Sequence, residues 1–372
     1  MASSSSHLYR EEGVSRAVPD LVLDNAIRQS RSTTAATVLS LGHLAHRTGA
    51  PYSFLREVAE RRIDPYEDFY VKKRSGGTRH ISAPTPLLME IQRWILHSCL
   101  RDLRFHPHSY AYQSGRSIVQ CANEHVGARW LLKFDLHDFF GSVSEKRVFK
   151  IFKSQGYSNL VAFELSRICT RASYLDPNPV PARRRYSVIG AYASNRVGIL
   201  PQGGPTSGAL ANAAATRMDK RLQLLALDHN LVFTRYSDDL TFSSSREFDR
   251  LAAATIVNEV CRAIRECHFV LHYKKTRVIA PGARLVVLGL TVDRDHVGLL
   301  PDFKRRVRLH IRGVSKFGLG AHAASRNFDS VLSFVNHIDG CISFAMGVDR
   351  LWAEKAVGEW TAALSLSKYP IS

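Results

Sequence analysis

The strongest constraint on the fold is the stretch TRYSDDLTFSS (234–244), which places two adjacent aspartates between two short apolar runs. The runs LVFTRY and LTFSS alternate β-branched or aromatic residues with others, which predicts two strands with Ser237, Asp238 and Asp239 at or next to a hairpin turn. A single aspartate at a turn is ordinary, because its side chain accepts hydrogen bonds from nearby backbone N–H groups. Two adjacent carboxylates need a further reason, since each raises the cost of ionising the other.

A third acid supplies that reason. The segment WLLKFDLHDFFGSV (130–143) is nearly continuously apolar from Trp130 to Leu136, apart from Lys133 and Asp135, and predicts a buried central strand with one carboxylate at its end. A charge there is costly unless something neutralises it. A strand-end aspartate beside an aspartate pair can hold two Mg²⁺ ions, which bind carboxylate and phosphate oxygens together. The pattern therefore favours metal-dependent phosphoryl transfer.

Charge points to the kind of partner. Lys and Arg outnumber Asp and Glu by 51 to 33, a net charge of +18, which favours nucleic acid over a protein that is merely basic. No apolar segment approaches the roughly 20 residues of a membrane span. The start, MASSSSHLYREEG, has no apolar signal segment, and the six cysteines contain no C-x-x-C pair. We therefore expect a cytoplasmic protein with reduced thiols and no membrane partner.

The YSDD hairpin, preceded by KFDLHDFF and by LPQGGPTSGALAN (200–212), resembles the palm of reverse transcriptases. The order of blocks is similar too: a fingers block, the first aspartate strand, the Pro-Gln-Gly helix start, the hairpin, a Lys-Thr block and a Leu-Gly-Leu strand. The resemblance covers about Tyr66 to Met346. It implies an α+β right-hand polymerase with fingers, a palm built on an antiparallel sheet and a helical thumb, preceded by an N-terminal helical extension.

On this reading the domains are 1–65 for the extension, 66–300 for the fingers and palm, and 301–372 for the thumb. The stretch 175–198 carries three prolines and three consecutive arginines, and predicts a basic insertion loop. Such a loop either contacts RNA or is only a solvated surface segment.

The fingers block contains a basic hairpin with a Gly-Gly turn. By resemblance, Lys72, Lys73 and Arg79 hold the triphosphate of the incoming nucleotide, with Arg79 suited to two-pronged phosphate contacts. Without the resemblance they are exposed hairpin bases.

Other roles follow from the same resemblance. Asp135, Asp238 and Asp239 are the metal ligands and catalytic carboxylates, and Phe140 matches the aromatic that lies under the sugar, where a bulky ring clashes with a 2′-hydroxyl. DNA is then the expected product. Two further residues complete the expected site: Gln202, at the Pro-Gln-Gly helix start, contacts the nucleotide, and Lys275, in the Lys-Thr block, protonates the leaving pyrophosphate. Taken by themselves, Phe140 is a core residue and Lys275 a surface charge.

The C-terminal segment FKRRVRLHIRG predicts an amphipathic helix, because Phe303, Val307 and Ile311 recur every four residues. The opposite positions are basic and face solvent or a nucleic-acid duplex: Lys304, Arg305, Arg308 and Arg312. This segment and FVNHIDGCISFAMGVD (334–349) resemble the thumb of bacterial retron reverse transcriptases.

A retron enzyme implies particular partners: dNTPs, a structured noncoding RNA that serves as template and primer, the branched RNA–DNA product, and a separate effector protein in antiphage defence. One block departs from the retron pattern, since Cys121 stands where many members have Asn, although Ala122 and His125 are kept. Other bacterial defence reverse transcriptases and group II intron-derived enzymes remain open. So do a metal-dependent nuclease and a non-catalytic RNA-binding scaffold.

Overall fold

The structure is a computed structural model that describes residues 35–72, 76–172, 192, 197–247, 249–367 and 369. Lys73, most of the 175–198 stretch and the first 34 residues of the predicted extension lie outside the described residues.

The described residues form helices and strands in alternating groups. The helices are α1 (Leu41–Thr48), α2 (Tyr52–Ala59), α3 (Pro86–Trp94), α4 (Ile118–Asn123), α5 (Glu145–Ser154), α6 (Asn159–Cys169), α7 (Ser207–Asp228), α8 (Arg250–Glu266), α9 (Pro301–Phe317), α10 (Leu319–Ser325), α11 (Val331–Met346) and α12 (Arg350–Leu366). The strands are β1 (Tyr66–Lys72), β2 (Thr78–Pro84), β3 (Trp130–His137), β4 (Val232–Tyr236), β5 (Asp239–Ser244), β6 (Val270–Leu271), β7 (Arg277–Ile279), β8 (Val286–Val287), β9 (Leu290–Val292) and β10 (Val297–Leu299). Among these helices, none has both the length and the apolar character needed to cross a bilayer.

The central sheet has the strand order β4-β5-β3-β6, with β7 also paired to β3, and each of these pairings is antiparallel. The prediction that 130–136 is a buried central strand is confirmed. Successive side chains of β3 point to opposite faces, so Leu132, Phe134 and Leu136 enter the main core. The other face carries Leu131, Lys133 and Asp135, and Leu131 packs in a second core.

The fingers hairpin pairs β1 with β2 in register, with Lys72 opposite Thr78 and Val71 opposite Arg79. Most of β1 and the first half of β2 are exposed. Helix α3 begins at Pro86, where the missing N–H of proline costs no helical hydrogen bond. The hairpin predicted around the Gly-Gly turn is confirmed.

The flanks of the predicted basic insertion lie side by side. Arg171 and Ile199 form an antiparallel bridge. The backbone N–H of Gly198 donates to Glu145, whose carboxylate is also paired with Arg167 at 2.9 Å. The described residues on either side of the insertion, Arg171 and Ile199, are thus held together next to helices α5 and α6.

A second core joins the small sheet β8-β9-β10 to the four C-terminal helices. Val307 and Ile311 of α9 are buried there and Phe303 packs at its edge, as the four-residue spacing predicts. The small sheet therefore shares its packing with the helices of the predicted thumb.

Candidate active site

The aspartate pair lies at a tight turn between β4 and β5. Tyr236 pairs with Asp239 across the hairpin, so Ser237 and Asp238 form the turn. Ser237 has φ 59°, in the left-handed region that the reversal requires. Strand β5 also pairs with β3, and there Asp239 lies directly opposite Asp135. The hairpin is confirmed, and the sheet register brings the two aspartate motifs together.

Electrostatics at this position are dominated by crowded negative charge. Burial raises the pKa of Asp239 to about 6, and the carboxylates of Asp238 and Asp135 add to the rise. Lys133 and Lys275 act in the opposite direction. The Nζ of Lys275 lies 2.9 Å from both carboxylate oxygens of Asp135. Two lysines therefore offset part of the negative charge of these three acids.

The three aspartates fit the requirements of a divalent cation. Carboxylate oxygens are the protein ligands that Mg²⁺ prefers, and Mg²⁺ commonly completes its coordination with water and substrate phosphates. Over the described ranges, no three His, Cys, Asp or Glu side chains are arranged so that they alone could hold a metal ion. Asp135, Asp238 and Asp239 would therefore hold a metal ion only together with further ligands, such as water and substrate phosphate oxygens.

Behind the turn lies a fully buried arginine, Arg235, which is not among the predicted site residues. The guanidinium of Arg235 donates to both carboxylate oxygens of Asp219 at 2.7 Å, and this pair is completely inaccessible to solvent. It also donates to the backbone carbonyl of Ser237 at 2.9 Å, to Ser109 and to Asn212. The turn formed by Ser237 and Asp238 is therefore anchored from inside by charge-assisted hydrogen bonds.

The sequence does contain a signal that Arg235 is buried. Phe233 and Arg235 are two positions apart in β4, so they share the face that enters the core. A charge at an inward-facing strand position calls for a buried partner, but the sequence does not identify that partner, because Asp219 is sixteen residues away on α7.

Gln202 and Arg79, which are predicted to bind the nucleotide, lie on segments that contact each other. The backbone carbonyl of Gln202 accepts from the N–H of Ser82 on β2 at 2.8 Å. Next to it, Gly203 has φ 135°, and a Cβ there would lie 2.7 Å from the carbonyl oxygen of Ser82. The start of α7 thus packs directly against the fingers hairpin that carries Arg79.

Phe140 is partly buried, with its ring centroid 5.6 Å from that of Phe139 and 5.9 Å from that of Tyr112. It lies five residues beyond Asp135, at the start of the loop that leaves β3. Its role under the nucleotide sugar remains a prediction.

In the thumb, Arg305, Arg308 and Arg312 are exposed on α9, as expected. Lys304 departs from the expectation that it faces solvent or a duplex with them. Its Nζ lies 2.6 Å from Asp349, and its side chain is only 30% exposed. The acid at the start of α12 attracts the lysine towards the helix interface, which four-residue spacing alone does not show.

His125, in the block that departs from the retron pattern, joins α4 to the sheet. Its two ring nitrogens lie 2.7 Å from the hydroxyls of Ser243 on β5 and Thr234 on β4. The ring is buried, and burial lowers the pKa of His125 to about 3. It therefore stays neutral in the folded protein and holds together β4 and β5, the two strands that flank the turn of Ser237 and Asp238.

This burial predicts an acid-sensitive contribution to stability. The unfolded state takes up a proton on His125 below about pH 6.5, whereas the folded state resists protonation down to about pH 3, so the free energy of unfolding falls as the pH drops between these values. Between pH 7 and pH 5, urea unfolding of the unsubstituted protein should lose about 2 kcal/mol more than that of His125→Gln. Equal losses in the two proteins would contradict the assignment.

Comparison with known proteins agrees with this geometry. Residues 71–292 match the family described as reverse transcriptase (RNA-dependent DNA polymerase). The match spans more than half of the chain and includes every element that carries the three aspartates. The chain therefore belongs to the reverse transcriptase family, the RNA-directed DNA polymerases.

Individual relatives indicate which kind of reverse transcriptase this chain resembles. The chain is 34% identical over 330 residues to the retron Mx65 reverse transcriptase of Myxococcus xanthus, covering 88% of this chain and 70% of that protein. It is 29% identical to the retron Ec86 reverse transcriptase of Escherichia coli, covering 76% and 77%. These relatives support a retron-type reverse transcriptase, which confirms the resemblance seen in the motifs.

Among solved structures, a telomerase from Candida albicans is similar with a TM-score of 0.42 and 11% identity, covering 81% of this chain and 56% of that one. Because this is a loose match, the family assignment rests on the sequence relatives.

Proposed function

We propose that this enzyme copies a dedicated structured noncoding RNA into short single-stranded DNA that stays joined to the RNA as a branched product. The observation that carries the proposal is the similarity to retron reverse transcriptases along 76–88% of the chain. The three aspartates expected to be catalytic are all present, at neighbouring ends of β3 and β5. This favours an active enzyme over a non-catalytic scaffold.

The proposed chemistry assigns a role to each residue of the site. Lys72 and Arg79 attract the triphosphate of the incoming nucleotide to the fingers, with Gln202 beside them. The ring of Phe140 occupies the space that a 2′-hydroxyl needs, so deoxynucleotides are selected. Lys275 is a proton donor next to Asp135 and would protonate the leaving pyrophosphate.

Asp135, Asp238 and Asp239 would hold two Mg²⁺ ions. When bound, such ions activate the attacking hydroxyl and stabilise the charge that develops on the leaving group. The proposed place of action is the cytoplasm, since all six cysteines are free thiols and five of them are buried. The biological role in antiphage defence, with a separate effector protein, is proposed from the retron relatives alone.

The proposal is tested by expressing the full chain with its native flanking DNA and isolating the nucleic acid that copurifies. The sample is digested with RNase and with DNase separately, and is compared with the double variant Asp238→Asn/Asp239→Asn. We expect a short DNA joined to RNA from the active protein and RNA alone from the variant.

RNA alone from both proteins would contradict a retron function and favour another defence polymerase or a scaffold. Cleavage of nucleic acid without added dNTPs would instead indicate that the protein is a metal-dependent nuclease.

The exposed thumb arginines give a second prediction. If Arg305, Arg308 and Arg312 contact backbone phosphates, each contact releases counterions on binding. Changing all three to Gln should weaken binding to an RNA–DNA hybrid and reduce the slope of log K against log salt by about 1 per contact. Fluorescence anisotropy over a salt series measures this slope.

A matched control is Arg350→Gln, an exposed arginine on α12 that pairs with Glu354 at 2.7 Å. It should leave the slope unchanged. If the triple variant and the control have the same slope as the unsubstituted protein, these arginines do not contact the hybrid.

A further inference from the structure

Tyr112 is an aromatic residue, 50% exposed, in the loop that precedes α4. Its φ of 58° lies in the left-handed region, which costs free energy for a residue with a side chain. The loop is fixed to two elements: Tyr110 N–H donates to the carbonyl of Arg235 on β4 at 2.9 Å, and the side chain of Asn212 on α7 donates to the carbonyl of Ala111 at 2.7 Å. The strained conformation persists because β4 and α7 hold it.

The ring of Tyr112 lies against three features of the active site. Behind it is Gly208 of α7, where a Cβ would come within 2.5 Å of the ring, so the helix leaves room for this aromatic. On another side the ring meets Phe140 edge-on, at 5.9 Å and 61°. Its hydroxyl is 2.9 Å from the hydroxyl of Ser237, in the catalytic turn.

Charged groups of the site act on the same phenol. Burial raises the pKa of Tyr112, the hydrogen bond to Ser237 opposes that rise, the carboxylate of Asp238 adds to it, and Arg79 opposes it. The phenol is thus within electrostatic range of Asp238 and Arg79 and in direct contact with Phe140 and Ser237.

We infer that Tyr112 is a positioning residue for sugar selection, which holds the ring of Phe140 in the place where it excludes a 2′-hydroxyl. The inference rests on the proposed role of Phe140. Excluding a single hydroxyl requires a ring that cannot turn aside, and among the described aromatic residues Phe140 meets only Phe139 and Tyr112. Removing the Tyr112 ring opens a space into which Phe140 can turn.

The test compares dGTP with GTP, which differ only in the 2′-hydroxyl, on poly(rC) with an oligo(dG) primer and Mg²⁺. The measured quantity is the ratio of kcat/KM for dGTP to kcat/KM for GTP. Tyr112→Ala should lower this ratio by about tenfold or more, within the range that a change in pocket shape can produce. Tyr112→Phe keeps the ring and should keep the ratio, although it loses the hydrogen bond to Ser237.

Phe140→Ala is the reference variant, and thermal unfolding checks that each protein is folded; Tyr112→Leu replaces Tyr112→Ala if that variant is not recovered. If Phe140→Ala lowers the ratio and Tyr112→Ala does not, the inference fails while the proposed function stands. If Phe140→Ala leaves the ratio unchanged, the proposed role of Phe140 fails, and the inference fails with it. Equal losses for both nucleotides in Tyr112→Ala would show a merely structural role.

Discussion

Replacing Asp239 with Asn is expected to reduce RNA-templated primer extension by ~1,000-fold, because the substitution removes one of the carboxylates that would hold the metal ions and so several kcal/mol of transition-state stabilisation. The folded protein should nevertheless become more stable. Burial and the neighbouring acids raise the pKa of Asp239 to about 6, so its ionisation above that pH disfavours the folded state. An asparagine avoids this cost.

The two effects have opposite signs and are measured separately. At pH 7.5 with a chelator present, urea unfolding should show Asp239→Asn to be more stable by about 3 kcal/mol, the value expected when a carboxyl pKa rises by about two units and the pH lies above both values. Such a trade between stability and activity is common at active sites.

The matched control for Asp239→Asn is Asp138→Asn. Asp138 is exposed three residues beyond Asp135, has φ 46°, and accepts from the N–H of Gly141 at 3.3 Å. Asparagine tolerates this backbone region and can accept the same hydrogen bond. The control should retain most of the activity. Full activity in Asp239→Asn, or a loss of stability in that variant, would contradict the assignment.

The sequence predicts those parts of the fold that local patterns determine. The alternation around Asp238 and Asp239 predicts the hairpin, and the apolar run before Asp135 predicts a central strand. Pairing between the two strands follows from the resemblance and not from either pattern, because nothing local in β3 or β5 encodes their register. The four-residue spacing from Phe303 to Ile311 likewise predicts a helix and its buried face, because this pattern lies within a single segment.

What the sequence does not predict are contacts between side chains far apart in the chain. The bond from Lys275 to Asp135 joins residues 140 positions apart, and the contact between Tyr112 and Phe140 depends on a loop with no periodic pattern. Lys304 departs from the expected outward orientation because Asp349, on another helix, lies within reach. Each case depends on tertiary packing, which overrides local preference.

The buried pair of Arg235 and Asp219 gives the second large prediction. Arg235→Met removes one partner and leaves the carboxylate of Asp219 buried without a counter-charge, which should lower the free energy of unfolding by about 3–5 kcal/mol. It also releases the carbonyl of Ser237, so the catalytic turn loses its anchor. A charge-assisted hydrogen bond of this kind corresponds to about a 10- to 100-fold change in rate, which steady-state primer extension measures.

A second substitution separates stability from positioning. In Arg235→Met/Asp219→Leu both charges are replaced by apolar side chains, a change that in buried pairs is often neutral or stabilising. Urea unfolding of the double variant should therefore recover most of the lost stability, while the rate of primer extension stays low because no donor reaches the carbonyl of Ser237. If stability and rate recover together, the hydrogen bond to Ser237 contributes nothing to catalysis, and the pair serves the fold alone. If the rate stays low in a protein of restored stability, the buried arginine positions the turn that carries Asp238 and Asp239.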